Sequence, residues 1–260
     1  MAQIPSGEKG ANEPSARTLI FIPAYEAART LEGVVRRIPD SVYQRVAEIL
    51  IQDDASQDST FCVASRLAEE LSKVKVVRNS ENLGYGSTKK KAYKYALDHE
   101  FDIVAMVHGD GQHAPEYLPK LLEPLYRGAA DIVLGSRILG NALRGGMPIY
   151  KWLGNRLLTS VANLGLSINL TDYHTGYRAY TARALTIIDV GTCCDGHEIS
   201  FEIICRAVKA HLTVAEVPVP THYGADSRSI SLSTSVRYGL YVVRQATAIL
   251  KARLYGGFKR

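Results

Sequence analysis

Long apolar runs are missing from this chain of 260 residues. The longest stretch without an ionisable acid or base, Leu157 to Thr171, is fifteen residues broken by Ser, Thr and Asn. A membrane-spanning helix needs about 18 apolar residues, so a soluble or peripheral protein is expected. Cysteine is scarce: Cys62, Cys193, Cys194 and Cys205 show no Cys-x-x-Cys spacing. Adjacent Cys193 and Cys194 make a poor disulfide or zinc framework, which favours a reducing, cytoplasmic setting. Internal repeats and low-complexity tracts are absent, and Met1 to Arg17 is polar with no apolar core, so no signal peptide is expected. Acidic residues are absent from positions 227–260, which hold Arg228, Arg237, Arg244, Lys251, Arg253, Lys259 and Arg260. The formal charge of +5 therefore sits in the tail, behind a slightly acidic body. A nucleic-acid surface would spread further, so no nucleic-acid partner is expected. A phosphate-bearing ligand or an anionic lipid surface fits a local patch.

What is present is an ordinary globular composition, 46% apolar, long enough to bury a core without disulfide staples. From Thr18, short β-rich runs (18–22, 47–51, 74–77, 103–107, 132–134, and later 212–217) alternate with helical periodicity over 30–38, 59–71, 87–98, 115–126 and 149–163. Repeated βαβ units predict a mostly parallel sheet flanked by helices. The loops after its strands should converge on one edge, where open α/β sheets bind ligands. Near the end, Val236, Leu240, Val243, Thr247, Leu250 and Leu254 share one helical face, and Arg237, Arg244 and Lys251 recur beside it. A helix packed back on the domain with a solvated charged edge is the expectation; a helix lying on an anionic membrane through 233–255 is the alternative. Three parts are predicted: a disordered leader 1–17, an α/β domain 18–226 and a basic amphipathic C-terminal helix 227–260.

Three strand-end loops carry chemistry. Pro23-Ala24-Tyr25 follows the first strand, where proline stops further pairing. Asp53 and Asp54 open the second loop; Asp58 is the expected cap of the next helix, which leaves the two earlier carboxylates for a base or ribose. In His108-Gly109-Asp110-Gly111-Gln112-His113, the flanking glycines open the backbone to a ligand, and Asp110 suits a hard divalent cation that also holds phosphate oxygens.

Together with Asn82-Leu83-Gly84-Tyr85-Gly86 and Gly135-Ser136-Arg137, these loops resemble glycosyltransferase family 2, with the Rossmann-like GT-A fold. Asp172-Tyr173-His174-Thr175-Gly176-Tyr177-Arg178 and Glu216-Val217-Pro218-Val219 extend the likeness to the dolichyl- or polyprenyl-phosphate sugar synthases, dolichol-phosphate mannose synthase-like enzymes. The resemblance implies a nucleotide-sugar donor and a divalent cation, Mg²⁺ or Mn²⁺. It puts Pro23, Ala24, Tyr25, Asp53, Asp54 and Gly84 around the donor nucleotide, with His108, Gly109 and Arg228 nearby. Asp110 becomes the surviving carboxylate of an Asp-x-Asp metal motif, Gln112 lies beside the donor phosphates, and Arg137 contacts the sugar or an acceptor phosphate. Inversion at the anomeric carbon is implied too.

His108 replaces the first Asp of that motif. It either joins the cation, in which case manganese or zinc suits it better than magnesium, or packs beneath the loop. Lys89, Lys90 and Lys91 resemble a phosphate patch, yet consecutive residues point around a helix, so a solvated face is expected. Two acceptors stay open. A polyprenyl phosphate is already ionised near neutral pH and needs no strong base. A small-molecule hydroxyl needs a carboxylate to take its proton, with Asp172, Glu198 or Glu202 as candidates. Arg137, Arg178 and Arg228 are suited to clamp phosphate. A nucleotide-sugar-binding protein without catalysis is a further reading, and a peripheral position on the cytoplasmic face of a membrane would suit the lipid acceptor.

Overall fold

The computed structural model describes residues 16–223 and 231–255; most of the expected leader, Arg228 and the boundary at 226 lie outside them. Seven strands form one sheet: β1 (Thr18–Ala24), β2 (Glu48–Asp53), β3 (Val74–Arg78), β4 (Ile103–Met106), β5 (Ile132–Ser136), β6 (Arg178–Thr181) and β7 (Val214–Pro218). Their order is β3-β2-β1-β4-β6-β5-β7. All neighbours pair in parallel except β6, which runs antiparallel to both β4 and β5. The helices are α1 (Leu31–Arg36), α2 (Asp40–Arg45), α3 (Thr60–Glu70), α4 (Tyr85–Asp98), α5 (Leu118–Tyr126), α6 (Ile149–Leu166), α7 (Ala182–Ile188), α8 (Ile199–Lys209) and α9 (Leu232–Leu254). The single helix expected over 30–38 ends at Arg36, because Pro39 lacks an N–H to continue it, and α2 starts just beyond.

Alternation along each strand divides the core into two layers. Leu19 and Phe21 of β1 join Tyr93, Met106, Leu134 and Tyr180 on one face, under α4, α6, α7, α8 and α9. Ile20 and Ile22 join Leu31, Ile51, Leu67 and Leu121 on the other, under α1, α3 and α5. The short β6 was hidden in the sequence, since four residues cannot display a period. Its reversal is what completes the site. Arg178, its first residue, pairs with Met106 at the carboxyl end of β4 and Leu134 near that of β5. The loop 172–177 therefore enters at the same edge as the loops leaving β1, β2, β4 and β5.

The C-terminal helix packs on α6. The two run parallel: Gly239 meets Leu158, Gly165 meets Ala246, and Arg253 donates to the Ser167 hydroxyl. Its buried face is Tyr238, Val242, Ala246 and Ile249. The apolar stripe read from the sequence points the other way: Val236, Leu240, Val243 and Leu254 are exposed, Leu240 by 67%. Beside it, Ile149, Tyr150, Leu153, Leu157 and Leu164 of α6 are exposed as well. Each helix turns its buried side to the sheet, so both stripes share the outer face of the pair.

Candidate active site

Pro23 and Ala24 tie two loops together through their backbone. The Pro23 carbonyl accepts the N–H of Gly109, and the Ala24 carbonyl accepts that of Asp54. Tyr25 stands partly exposed beside them. The carboxylates at the end of β2 face inward. Asp53 is wholly buried, pairs with Arg78 Nε at 3.1 Å and accepts the N–H of Ser56. Asp54 Oδ1 accepts from Asn79 Nδ2 and the Leu83 N–H, and Oδ2 from the Gly84 N–H, all at 2.7–2.9 Å. Of the two carboxylates that the sequence offered to a base or ribose, Asp54 thus holds the loop before α4, and Asp53 ties its own loop to the end of β3. Gly84, at φ +79°, adopts the left-handed backbone that lets this loop turn onto Asp54. Asp58 accepts the N–H of Thr60, the first residue of α3, but from one residue before the N-cap position, which Ser59 occupies without a side-chain cap bond.

In the loop after β4, Asp110 Oδ1 accepts the N–H of Gln112, and the Gly109 carbonyl accepts the Thr30 hydroxyl at 2.6 Å. His108 lies edge-on to Tyr85, 5.8 Å between centroids, and 5.3 Å from His113. Its Nε2 is buried without a hydrogen-bond partner among the described residues and faces Gly176, where any Cβ would collide with it. Burial lowers the His108 pKa, and the Asp110 charge opposes that shift. His113 is buried with both ring nitrogens unpartnered among the described residues, and burial holds it neutral. The N–H of His222 donates to the Gln112 carbonyl, which closes the segment after β7 over this loop.

The densest polar contacts join β5, the loop before β6 and β7. Asp172 is wholly buried. Its Oδ2 accepts Arg137 Nε at 2.7 Å and its Oδ1 accepts Nη2 at 2.9 Å, a bidentate pair. Asn155 and the His174 N–H also donate to Oδ1. Burial alone would raise the Asp172 pKa, but the Arg137 charge and hydrogen bonds override it and hold the carboxyl well below the usual carboxylate range. Arg137 is correspondingly raised against the opposing cost of its own burial. Its Nη1 donates to the Tyr223 hydroxyl, and 12% of its side chain stays exposed. Burial raises the Tyr223 pKa against the Arg137 charge, and the Tyr223 N–H donates to the Gly145 carbonyl. Glu216, on β7, accepts the N–H groups of Thr171 and Asp172 at 2.6 and 2.9 Å and the Thr171 hydroxyl at 3.1 Å.

Other candidates are spent elsewhere. Glu198 accepts from Arg237, and Glu202 accepts from Arg206 and the Cys194 N–H. Arg178 is wholly buried and donates to the carbonyls of Thr175, Tyr173 and Ser200, so it braces the 172–177 loop from beneath. The solvated lysine face is corrected by the structure: Lys89 is completely buried, donates to Ser200 Oγ and lies 4.8 Å from the centre of the Tyr85 ring. Lys90 bonds the Cys193 carbonyl, and Lys91 bonds Asn79. Tyr85, which stacks on His197 at 5.0 Å, stood out in the sequence only as part of the 82–86 motif with no role of its own, and Tyr223 was not assigned one; the contacts of both are made in three dimensions.

The family model described as glycosyl transferase family 2 matches residues 19–187. The undecaprenyl-phosphate mannosyltransferase of Micrococcus luteus is 32% identical over 209 residues, 78% of this chain and 82% of the relative. The UDP-N-acetylglucosamine–dolichyl-phosphate N-acetylglucosaminyltransferase of Methanococcus voltae is 28% identical over 86% of this chain and 92% of its own. Among solved structures, glucosyl-3-phosphoglycerate synthase of Mycobacterium tuberculosis, crystallised with Mn²⁺, UDP and phosphoglyceric acid, superposes with a TM-score of 0.68 over 90% of this chain and 78% of that one, at 17% identity. That likeness speaks for the shared fold, GT-A. With the strand-end loops converging as described, and with the family's model spanning all six strands from β1 to β6, the chain belongs to glycosyl transferase family 2 and is a glycosyltransferase.

Proposed function

We propose that the protein transfers a sugar, with inversion, from a nucleoside-diphosphate sugar, GDP-mannose or a UDP-sugar, to a polyprenyl or dolichyl phosphate at a membrane surface. One observation carries the choice of acceptor. The three carboxylates that the sequence offers a hydroxyl acceptor as general base are all ion-paired: Asp172 with Arg137, Glu198 with Arg237 and Glu202 with Arg206. Asp172, which its pairing with Arg137 holds well below the usual carboxylate range, is a weak proton acceptor, whereas a phosphate oxygen arrives ionised and needs none. The two relatives named above, both acting on polyprenyl-type phosphates by their names, support the same reading.

In the transfer, a phosphate oxygen of the acceptor attacks the anomeric carbon. The new C–O bond forms as the bond to the donor's diphosphate breaks, and the diphosphate leaves with the electron pair. Arg137 orients a phosphate through its guanidinium, and the closed loop around Gln112 limits water. Asp110 and Gln112 offer hard oxygen ligands, and no three His, Cys, Asp or Glu side chains gather into a metal cluster among the described residues. That donor set fits Mg²⁺ or Mn²⁺, which complete their shells with substrate phosphates and water. When bound, such an ion neutralises charge developing on the leaving diphosphate. His108, its buried nitrogen facing Gly176, is assigned to packing.

No helix among the described residues is long and apolar enough to cross a membrane. The outward stripes of α6 and α9, flanked by Arg237, Arg244 and Lys251, suit peripheral attachment to an anionic, cytoplasmic leaflet. The test pairs GDP-mannose, UDP-glucose and UDP-N-acetylglucosamine with undecaprenyl phosphate in detergent, with Mg²⁺ or Mn²⁺. One pair yields an organic-extractable glycolipid, and Asp110→Asn lowers its rate at least about 100-fold, the equivalent of roughly 2.7 kcal/mol of barrier. Transfer only to water-soluble hydroxyl acceptors sinks the proposal.

A further inference from the structure

Glu216 makes no ion pair among the described residues; its carboxylate is given to backbone N–H groups and a hydroxyl. Its position on β7, four strands from β1 and one from β5, places it beneath the Asp172 loop, and it accepts two successive backbone N–H groups there, those of Thr171 and Asp172, plus the Thr171 hydroxyl. Thr171 in turn shares a 2.6 Å hydrogen bond with Ser136, the residue before Arg137. Glu216 therefore fixes the peptide that carries Asp172 and, through Ser136, the end of the strand that carries Arg137.

Asp172 spends its carboxylate on the far side of that peptide. A guanidinium has five N–H donors. Three of those on Arg137 are taken, Nε and Nη2 by Asp172 and Nη1 by Tyr223. Two remain without a partner among the described residues, on a side chain that is still 12% exposed. Two N–H donors on adjacent nitrogens match one phosphate group. Because both flanking edges of the guanidinium are pinned, the remaining pair has a fixed direction before any ligand arrives, which removes an ordering cost from binding.

Resting on the sugar-transfer reading of this site, we propose that Glu216 is a positioning residue. It holds the 171–172 peptide so that Asp172 locks Arg137 with two N–H donors presented to a substrate phosphate, and Asp172 acts by orientation, not as a proton acceptor. The phosphate belongs to the acceptor monoester or to the donor diphosphate; the chemistry recognised is the same.

The experiment is a double-mutant cycle on the full chain, read by binding and by the Nε–H signals of ¹⁵N-labelled arginine. The probes are farnesyl phosphate, for the monoester, and UDP and GDP, for the diphosphate; Arg137→Lys assigns the Arg137 signal. In the wild type that signal is protected from exchange and shifts with at least one probe. Glu216→Gln keeps the side-chain shape but loses an acceptor facing two N–H groups. It is expected to weaken that probe about tenfold, the effect of one charge-assisted hydrogen bond, and to speed exchange of the Arg137 Nε–H. In an Arg137→Lys background the same change adds less than twofold, because what it positioned is gone. Glu216→Asp, a milder change, falls between. Weakening of farnesyl phosphate alone assigns Arg137 to the acceptor, and weakening of the nucleotides alone assigns it to the donor; either supports the proposal. Additive losses in the cycle, unchanged Nε–H exchange, or a wild-type signal that no probe moves overturns it. None of these readouts needs turnover, so a failure of the sugar-transfer reading itself registers separately, as absent glycolipid product.

Discussion

Lys89 sits in the core with one hydrogen bond, to Ser200 Oγ, and the faces of Tyr85 and Tyr93 at 4.8 and 6.0 Å. Its neighbour Arg178 is also wholly buried, yet three backbone carbonyls satisfy its donors. Burial, then the Arg178 charge, push the Lys89 pKa well below its ordinary value. An ammonium desolvated without a carboxylate is a cost to the fold, and well-packed apolar replacements of buried charges are often neutral or stabilising. Lys89→Met, which keeps the length of the chain, is therefore expected to stabilise the protein by about 1 kcal/mol, a rise of roughly 2–4 °C in Tm. Urea unfolding measures it. A loss of stability would mean that the bond to Ser200 outweighs desolvation. Three consecutive lysines gave no warning of this, since each points about 100° from the last around a helix and only packing decides which one turns inward.

At the level of elements, α9 shows how an amphipathic pattern can be read correctly and oriented wrongly. Its periodic apolar residues do form one face, but the helix buries a different one, Tyr238, Val242, Ala246 and Ile249, and its seam with α6 uses the small residues Gly165, Gly239 and Ala246 for close approach. Small residues carry little weight in a hydrophobic pattern, which is why the seam was invisible in the sequence. The exposed stripe then needs its own explanation, and α6 supplies a matching one alongside. Contiguous apolar surface of this kind marks an interaction site. Arg244 and Lys251 flank it, and neither has an acidic partner among the described residues. Replacing both with Gln removes two juxtamembrane charges, each worth about 1 kcal/mol near an anionic surface. Binding to vesicles of phosphatidylglycerol and phosphatidylcholine should fall roughly 30-fold in a sedimentation assay, while pure phosphatidylcholine vesicles show no difference. Arg237 is left alone because Glu198 depends on it. Equal loss on both vesicle types would remove the charge argument.

Across the whole molecule, the strands from β1 to β5, the loops that follow them and the family were legible because period and turn chemistry are local. The reversed β6 was not, nor were the ion pairs that redefine Asp172, Glu198 and Glu202, because each depends on segments 35 or more residues apart, or on a neighbour one helical turn away whose rotamer only packing fixes. His174 shows what such convergence does to stability. It is held between the loop before β6 and α9, with Nδ1 2.8 Å from the Tyr238 hydroxyl and Nε2 buried. Burial, only partly offset by Asp172, lowers its pKa to about 4, whereas in the unfolded chain a histidine titrates near 6.5. Between those values the unfolded chain takes a proton that the folded protein refuses, so stability must fall as pH drops from about 6.5 to about 4 and this contribution flattens below. Asp172, whose folded pKa is lowered too, obeys the same sign at lower pH: its pairing stabilises the fold at neutral pH and is lost only as pH falls below the unfolded carboxylate value near 3.9. The two regimes separate cleanly in pH. Tm measured from pH 7.5 to 4 should decline in the wild type and decline less in His174→Gln, which does not titrate there. An identical slope in the variant would show that the proton uptake driving acid unfolding lies elsewhere in the chain.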